Sequence, residues 1–272
     1  MFMTKCHYLI VLLAIVLAAG CRSQDKGPSL SEYSASSESV RVMKFAQYAA
    51  GLEEVPPEEA VRRQEARLNC ADSVSFQEEL KLQDRFFFNP DSPYRSEELM
   101  IPVFEKTLSS PYASQAQKSA AAYNLPLFKL NRVGSPAADF TFMVRGGRTR
   151  NLHGVEAAMT LLFFSNPGCG NCKEISDAVS GDPMIKEFIS RGELAVVNIY
   201  PDENLEEWYG YSKDYPDEWI CGYAPDIDEP AGGALPLYNV RAIPSLYLLD
   251  ADKRVILKDA PVEKVISRIC RR

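Results

Sequence analysis

The chain has 272 residues, of which 46% are apolar and 25% are charged, a composition that excludes a collagen-like or wholly disordered protein. The net charge is −7, with 30 Lys and Arg against 37 Asp and Glu, which argues against a nucleic-acid partner because phosphate neutralisation needs clustered basic residues. His7 and His153 are the only histidines, and seven cysteines are present; the first count excludes a multi-histidine metal centre, and the second is too low for a small disulfide scaffold.

The first twenty residues have the pattern of a secretion signal. An apolar run covers residues 8–19, which is too short for a membrane span of about 20 residues and suits a signal peptide. It leads into Leu17-Ala18-Ala19-Gly20-Cys21, which resembles a bacterial lipobox. We predict a lipoprotein signal peptide over residues 1–20 and lipid attachment at Cys21. An ordinary signal peptide and an uncleaved anchor are the alternatives.

Residues 21–39 predict a flexible tether. Seven serines fall within positions 22–39, and a coil of this kind can hold a folded body off a membrane surface. Residue 22 is Arg and not Asp, so an inner-membrane retention signal used by some Gram-negative bacteria is absent. The expected location is the cell envelope, on the periplasmic side of a membrane, with the outer membrane favoured.

Residues 40–128 predict a small all-α domain. Apolar residues recur at helical spacing over 42–52, and a second helix is expected to begin near Pro57. Further helices are expected from residue 73 into the phenylalanines at 86–88, after Ser92 as N-cap with Pro93 as first residue, and over 113–123. No catalytic pattern is found here, so the function of this part is unknown and its aromatic residues are predicted to be core.

Residues 133–272 predict an α/β domain. Gly146-Gly147 lies between the short segments 140–144 and 148–152, which predicts a hairpin. The continuous apolar run 160–165 predicts a strand buried on both faces. A second central strand is expected over 194–200 and a terminal hairpin over 245–258. The expected order is β-β-α-β-α-β-α-β-β-α, with parallel crossovers.

A Cys-x-x-Cys motif follows the first buried strand directly. Cys169 would lie at the N-terminus of the next helix, where free N–H groups stabilise a thiolate, while Cys172 would be shielded one turn further in. Thiol–disulfide exchange needs this division between an exposed nucleophile and a resolving thiol. We predict a redox-active disulfide with Cys169 as nucleophile and Cys172 as resolving residue, no further cofactor, and an active-site loop of Pro167, Gly168, Gly170 and Asn171.

Two other interpretations of the motif are a zinc half-site and a structural disulfide. Zinc needs about four ligands, but the chain has no second Cys-x-x-Cys, and His153 is the only histidine outside the signal peptide. We therefore predict no metal site.

A second element supports the redox interpretation. Ile243-Pro244 stands immediately before a strand, where proline is costly to a hydrogen-bonded ladder. The placement makes sense if the Ile243–Pro244 peptide is cis and the loop faces Cys169. An ordinary trans proline is the alternative.

Together these residues resemble a known family. The segment 133–140, the pair Cys169–Cys172 and Ile243-Pro244 resemble the thioredoxin superfamily, specifically its membrane-tethered TlpA/ResA-like members, over about residues 133–272. The segment 91–98 is similar to the N-terminal domain of thioredoxin-like lipoproteins in Bacteroidota. The resemblance implies a thioredoxin fold, a central mixed sheet flanked by helices, preceded by the all-α domain.

The resemblance also implies extracytoplasmic dithiol–disulfide exchange, in which Ile243 and Pro244 dock the substrate backbone. The expected partners are disulfide-containing or unfolded extracytoplasmic proteins, a membrane electron donor of the DsbD/CcdA type, and the bilayer through lipidated Cys21. Ile before Pro244, and the lack of His between the cysteines, favour a reductant. The alternative function is a binding or scaffold lipoprotein with a degenerate or regulatory thioredoxin-like domain.

Three positions depart from the family pattern. Gly168 stands where relatives usually have Trp, Phe163 where thioredoxins have a buried Asp, and Ile175 where some tethered relatives have a Glu. Glu174, one place away, is expected to be exposed. A different proton acceptor, or solvent, must therefore serve Cys172. A peroxiredoxin is disfavoured because Ser165 lacks its spacing to Cys169.

An insertion over residues 202–238 carries much of the net charge. Ten acids and one base lie between residues 202 and 230, interleaved with aromatic residues. This predicts an amphipathic helix with a solvated acidic face and an aromatic underside; the sharper hypothesis is an acidic, aromatic rim that selects basic or unfolded partners. The acids do not match a calcium loop. Cys70, Cys221 and Cys270 are expected to be small buried residues, with Cys221 the candidate for a third redox thiol.

Overall fold

The computed structural model describes residues 37–227 and 235–271. The predicted signal peptide, Cys21 and nearly all of the tether lie outside the described residues. Within those two ranges, no helix combines the length and apolar character that crossing a membrane requires. The described chain forms a helical region over residues 38–128, followed by a mixed β-sheet with flanking helices.

The helical region contains five α-helices and one π-helical turn. Hydroxyl or carboxylate groups of Ser37, Asp72, Ser96 and Ser114 accept backbone N–H groups at the starts of four of these helices, which satisfies donors that a helix leaves free. The elements are α1 (Glu38–Glu53), α2 (Pro57–Arg67), α3 (Ser73–Gln83), the π turn (Asp84–Phe88), α4 (Glu97–Ser109) and α5 (Gln115–Phe128).

The predicted aromatic core of this region is confirmed. Phe45 and Phe128 are fully buried, Phe87 is nearly so, and Phe104 packs edge-on against Phe128 with ring centroids 5.0 Å apart. These rings hold the short helices together, because apolar burial rather than helix propensity stabilises helices of this length.

The prediction that Ser92 caps a helix beginning at Pro93 is wrong. Helix α4 begins at Glu97, and Ser96 is its N-cap, accepting from the N–H of Leu99. The Ser92 hydroxyl instead donates to the Phe86 carbonyl oxygen at 2.6 Å. The hydroxyl oxygen also accepts from the backbone N–H of Tyr94 at 3.2 Å, so Ser92 closes the turn between the π turn and α4.

The sheet has seven strands in the order β2-β1-β5-β4-β3-β6-β7. Strands β3, β4 and β5 are parallel to one another, and the remaining pairings are antiparallel. The strands are β1 (Thr141–Val144), β2 (Thr149–Asn151), β3 (Met159–Phe164), β4 (Leu194–Tyr200), β5 (Ile220–Tyr223), β6 (Ser245–Asp250) and β7 (Val255–Lys258). All of β3 is buried, as predicted, and Gly146 and Gly147 form the predicted hairpin turn with φ of 88° and 77°.

The expected element order is wrong at two places. No helix stands between β2 and β3 in the described chain, and the acidic insertion contributes strand β5, which pairs with β4 and β1. A Cβ on Gly222 would lie 2.5 Å from the Phe142 ring and 2.7 Å from Ile199. Glycine at position 222 therefore lets β5 pack closely against these two side chains. The strand was not predicted because its four residues do not alternate between apolar and polar.

Four helices flank the sheet: α6 (Gly170–Gly181), α7 (Pro183–Ser190), α8 (Leu205–Tyr211) and α9 (Val262–Cys270). On one face Phe163 and Leu246 form a single core with Cys172 of α6, Ile185 of α7 and Val265 of α9. A separate core on the other face contains Phe142, Leu162 and Tyr238. The sheet is therefore covered on both sides, and α6 begins at the edge where β3 ends.

Buried ion pairs join the helical region to the sheet. Lys258 Nζ of β7 lies 2.6 Å from Glu97 Oε2 of α4, and each side chain is 1% exposed. The same ammonium donates to the Phe128 carbonyl oxygen at 2.9 Å. Arg95 Nε donates to the Asp259 carbonyl oxygen at 2.9 Å. These contacts fix the two regions against each other, since separating them would leave charges unpaired.

Candidate active site

The two cysteines of the motif form a disulfide at the start of α6. The Cα atoms of Cys169 and Cys172 are 5.2 Å apart. Cys169 is the N-cap of α6, and the backbone N–H of Cys172 points to its Sγ at 3.1 Å. Cys172 is fully buried, whereas Cys169 is partly exposed. An incoming group can therefore reach the outer sulfur, which sits at the positive end of the helix dipole.

The loop before Cys169 is open to solvent. Gly168, Gly170 and Asn171 are exposed, and Pro167 is partly exposed. Gly168 has φ of +71°, and a Cβ there would meet no atom within 4 Å. Position 168 therefore favours glycine because of its backbone conformation and not because space is short. A Trp, which the family resemblance implies at this position, could not adopt this conformation without strain.

The loop at Ile243–Pro244 lies against the outer sulfur. The peptide between these residues is cis, and the Ile243 carbonyl oxygen is 3.9 Å from the Sγ of Cys169. The sheet explains the proximity: β6 begins at Ser245, which pairs with Phe164 at the end of β3. Residues separated by 74 positions thus meet because their strands are neighbours.

A buried chain of hydrogen bonds begins at Ser165, the residue that directly follows β3, and it was not foreseen from the sequence. The Ser165 hydroxyl is 2.8 Å from the Tyr215 hydroxyl and accepts from Asn198 Nδ2 at 2.7 Å. Tyr215 donates in turn to the Tyr211 hydroxyl at 2.7 Å. Asn198 sits beside Phe163 in the β3–β4 ladder, so a polar residue lies one strand from the position of the thioredoxin Asp. An Asn within the apolar run of β4 was the available signal.

Burial raises the pKa of Tyr215, so its hydroxyl stays protonated and acts as a hydrogen-bond donor at neutral pH. The hydrogen bonds that Ser165 makes with Asn198 and Tyr215 therefore fix the start of the active-site loop, but they supply no anionic base. Glu174 is exposed, as predicted, and Ile175 packs against the core that contains Cys172.

The acidic segment borders the active-site loop. Asn166, three residues before Cys169, donates to the Asp202 carboxylate. The described acids of the segment are exposed, whereas Trp208, Tyr215 and Trp219 are buried. The predicted solvated acidic face and aromatic underside are confirmed, but the predicted helix covers only Leu205–Tyr211, so Tyr215 and Trp219 lie outside it.

The three remaining described cysteines are free, and the prediction that all are buried is wrong for Cys70 and Cys270, which are partly exposed. Cys221 is buried on β5, and burial raises the pKa of its thiol to about 11. Burial likewise raises the pKa of Cys70 to about 11, and that of Cys270 is also raised. These thiols are protonated near neutral pH, which makes them poor nucleophiles.

This difference predicts the order of alkylation. In the reduced, folded protein at pH 8, iodoacetamide should modify Cys169 first, while Cys221 reacts only after denaturant is added, because roughly one thousandth of that thiol is ionised. Peptide mapping by mass spectrometry against time measures both. Preferential labelling of Cys172, or rapid labelling of Cys221 in the folded state, would contradict the assignment.

In the described part of the chain, no group of three or more His, Cys, Asp or Glu residues is arranged to hold a metal ion.

The fold and site together define a class: a thioredoxin-fold protein with a Cys-x-x-Cys disulfide at a helix N-terminus, faced by a cis-proline loop.

Comparison with solved structures finds similar proteins. The chain is 34% identical to a thioredoxin-like protein from Bacteroides caccae, with a TM-score of 0.74, over 85% of this chain and 83% of that one. It is 40% identical to the C-terminal domain of an uncharacterized protein from Bacteroides fragilis, with a TM-score of 0.48, over 52% and 98%. The thioredoxin domain of a thiol-disulfide oxidoreductase from Bacteroides vulgatus is 17% identical, with a TM-score of 0.43, over 51% and 98%.

No protein-family model and no curated protein sequence matches the chain. The B. caccae protein extends the likeness across both the helical region and the sheet, since it covers 85% of this chain. The chain belongs to the thioredoxin-like proteins.

Proposed function

We propose that this protein is a thiol–disulfide oxidoreductase that reduces disulfides of extracytoplasmic proteins. The observation that carries the proposal is the position of Cys169, partly exposed at the N-terminus of α6 with the Ile243 carbonyl oxygen 3.9 Å from its sulfur. This arrangement supplies a stabilised thiolate and a backbone edge in one place.

The reaction takes place in two exchanges. The Cys169 thiolate attacks one sulfur of the substrate disulfide; a Cys169–substrate bond forms, and the other substrate sulfur leaves as a thiolate that takes up a proton. Cys172, deprotonated through solvent, then attacks Cys169 Sγ and releases the second substrate thiol. The substrate gains two electrons and two protons, and the protein is left with the Cys169–Cys172 disulfide.

Ile243 and Pro244 dock the substrate backbone beside the reacting sulfurs in this proposal. Regeneration of the dithiol needs a two-electron donor, and a membrane donor of the DsbD/CcdA type fits that need. The disulfide is the redox group, and the proposal requires no other cofactor.

The proposal places the protein in the cell envelope. Lipidated Cys21 would anchor it in a membrane, with the outer membrane favoured, and residues 21–39 would act as the tether that lets the domain face the periplasm. The pattern of residues 1–21 supports this location.

The alternative is a binding or scaffold lipoprotein whose disulfide is regulatory. Insulin reduction by dithiothreitol separates the two, since an oxidoreductase accelerates it in catalytic amounts and a scaffold does not. The requirement for Cys169 in that assay is treated in the Discussion.

The acidic segment beside Asn166 leads to a prediction about substrate charge. If its exposed carboxylates attract clients, the rate of reduction of a basic disulfide peptide should fall about tenfold between 20 mM and 500 mM NaCl, because salt screens exposed charges. An acidic peptide of the same length is the control and should show no such fall. Equal salt dependence for both peptides would contradict the hypothesis.

A further inference from the structure

One arginine holds the loop that carries Ile243 and Pro244. Arg241 lies two residues before Ile243, and its side chain is 13% exposed. Its Nη1 donates to the Phe88 carbonyl oxygen at 2.9 Å, and its Cζ lies 4.9 Å and 4.8 Å from the ring centroids of Phe88 and Phe128. Because both phenylalanines belong to the helical region, Arg241 ties the loop to that region.

The Glu97 carboxylate strengthens this tie from the first turn of α4. Its Oε1 lies 3.3 Å from Arg241 Nε and accepts from Asn239 Nδ2 at 2.9 Å. Asn239 and Arg241 both precede Ile243 in the chain. One buried carboxylate of the helical region therefore contacts two residues of the segment that leads into the loop.

The Asp259 carboxylate connects the other end of the loop. Its Oδ2 lies 3.5 Å from Arg241 Nη2, and its Oδ1 accepts from the Ser245 hydroxyl at 3.1 Å. Ser245 directly follows Pro244. Arg95 of the helical region binds the Asp259 backbone in turn. The loop is thus fixed on both sides of the proline by one cluster.

The chemistry of this cluster suits a positioning role. A planar guanidinium with several donors fixes direction as well as distance, which a lysine ammonium does not. Disulfide exchange depends on the alignment of attacking and leaving sulfurs, and a misplacement of about 1 Å can cost about a hundredfold in rate. A well-fixed loop therefore favours fast exchange with a docked substrate, even though burying these charges costs stability.

We propose that Arg241, held by the helical region, is a positioning residue that sets the substrate-docking loop opposite Cys169. The helical region is then a working part of the redox centre, needed for protein substrates whose backbone must dock. This inference rests on the proposed function and deepens it. Small disulfides, which do not use the docking loop, depend on it far less.

The test compares two disulfides with the pre-reduced full chain. Second-order rate constants for oxidation of the protein by insulin and by hydroxyethyl disulfide are measured by acid quench and thiol titration. Arg241→Met keeps the packing on Phe88 and Phe128 but loses the directed hydrogen bond. It should lower the insulin rate constant about tenfold and the hydroxyethyl disulfide rate constant less than about twofold.

Two further variants complete the design. Arg241→Lys keeps the charge beside Glu97 and Asp259 and should give an intermediate insulin rate constant, and it supplies the answer if Arg241→Met does not fold. Arg62→Met, on the exposed side of α2, is the matched control and should react as wild type does.

The outcomes are distinct. Wild-type protein that is inert toward both disulfides would overturn the proposed function itself. Active wild-type protein, with folded Arg241 variants that keep its insulin-to-hydroxyethyl-disulfide ratio, would overturn only the positioning role. An equal fall in both rate constants also keeps that ratio, and it would overturn the positioning role in the same way.

Discussion

Replacing Cys169 with serine is expected to lower insulin reduction to the rate of dithiothreitol alone. A serine hydroxyl cannot form a disulfide, so no covalent intermediate can accumulate and no electrons pass to the substrate. The measurement is the rise in turbidity of insulin with wild type and Cys169→Ser at equal concentration. Residual catalysis by Cys169→Ser would contradict the assignment of this sulfur as the nucleophile.

The inner cysteine should behave differently. Cys172→Ser retains the attacking thiol but cannot resolve the mixed disulfide, because the buried sulfur of Cys172 is the group placed to attack from inside. It should therefore remain covalently bound to insulin chains on non-reducing gels, which Cys169→Ser should not. Cys221→Ser is the matched control for loss of a buried thiol and should keep wild-type turnover.

Replacing Lys258 with methionine is expected to destabilise the protein by about 3–5 kcal/mol. The substitution leaves Glu97 buried without its nearest cation, which is 2.6 Å away in the wild-type protein. Urea unfolding followed by tryptophan fluorescence measures the loss. Lys264→Met is the control: its pair with Glu53 also joins the two regions but is exposed, at 46% and 40%, so its loss should cost less than about 1 kcal/mol.

The loss should depend on pH with a definite sign. Burial raises the pKa of Glu97 above the usual range for a glutamate, so the folded state binds this proton more tightly than the unfolded state. Loss of Lys258, whose charge and hydrogen bond lower the pKa of Glu97, should raise that pKa further in the variant. Protonation of Glu97 therefore favours folding of Lys258→Met more than folding of the wild-type protein, and the deficit should shrink as pH falls through the raised folded pKa toward the ordinary value. A deficit that is constant from about pH 8 to about pH 5 would contradict the loss of the Lys258 charge beside Glu97 as its cause.

The geometry of the candidate site could be predicted because its signals are local. Cys169 and Cys172 are separated by one helical turn, and Pro244 stands directly before a strand, so each is visible within a few residues. Strand β5 could not be predicted, because its four residues lack alternation and lie in an acidic stretch. The Ser165–Tyr215 contact spans 50 positions, and no short-range pattern reports such a pair.

The anchor of the docking loop was hidden for the same reason. Arg241 and Phe88 are 153 positions apart, and charged residues in a sequence are ordinarily assigned to the surface. The sequence predicts the helical region and the sheet as two separate domains, whereas buried ion pairs between them hold the segment before Ile243. Hydrophobic patterning indicates which face of one helix or strand is buried, and it does not indicate which charged residues of two elements will pair.

Strand β5 has a practical consequence for anyone wishing to strip the negative charge from this molecule. Because Ile220–Tyr223 hydrogen-bonds to β4 on one side and β1 on the other, excising the acidic stretch would cut the sheet in two. Neutralising the stretch instead requires substitution of its acids one by one, Asp to Asn and Glu to Gln, which keeps strand β5 in the sheet.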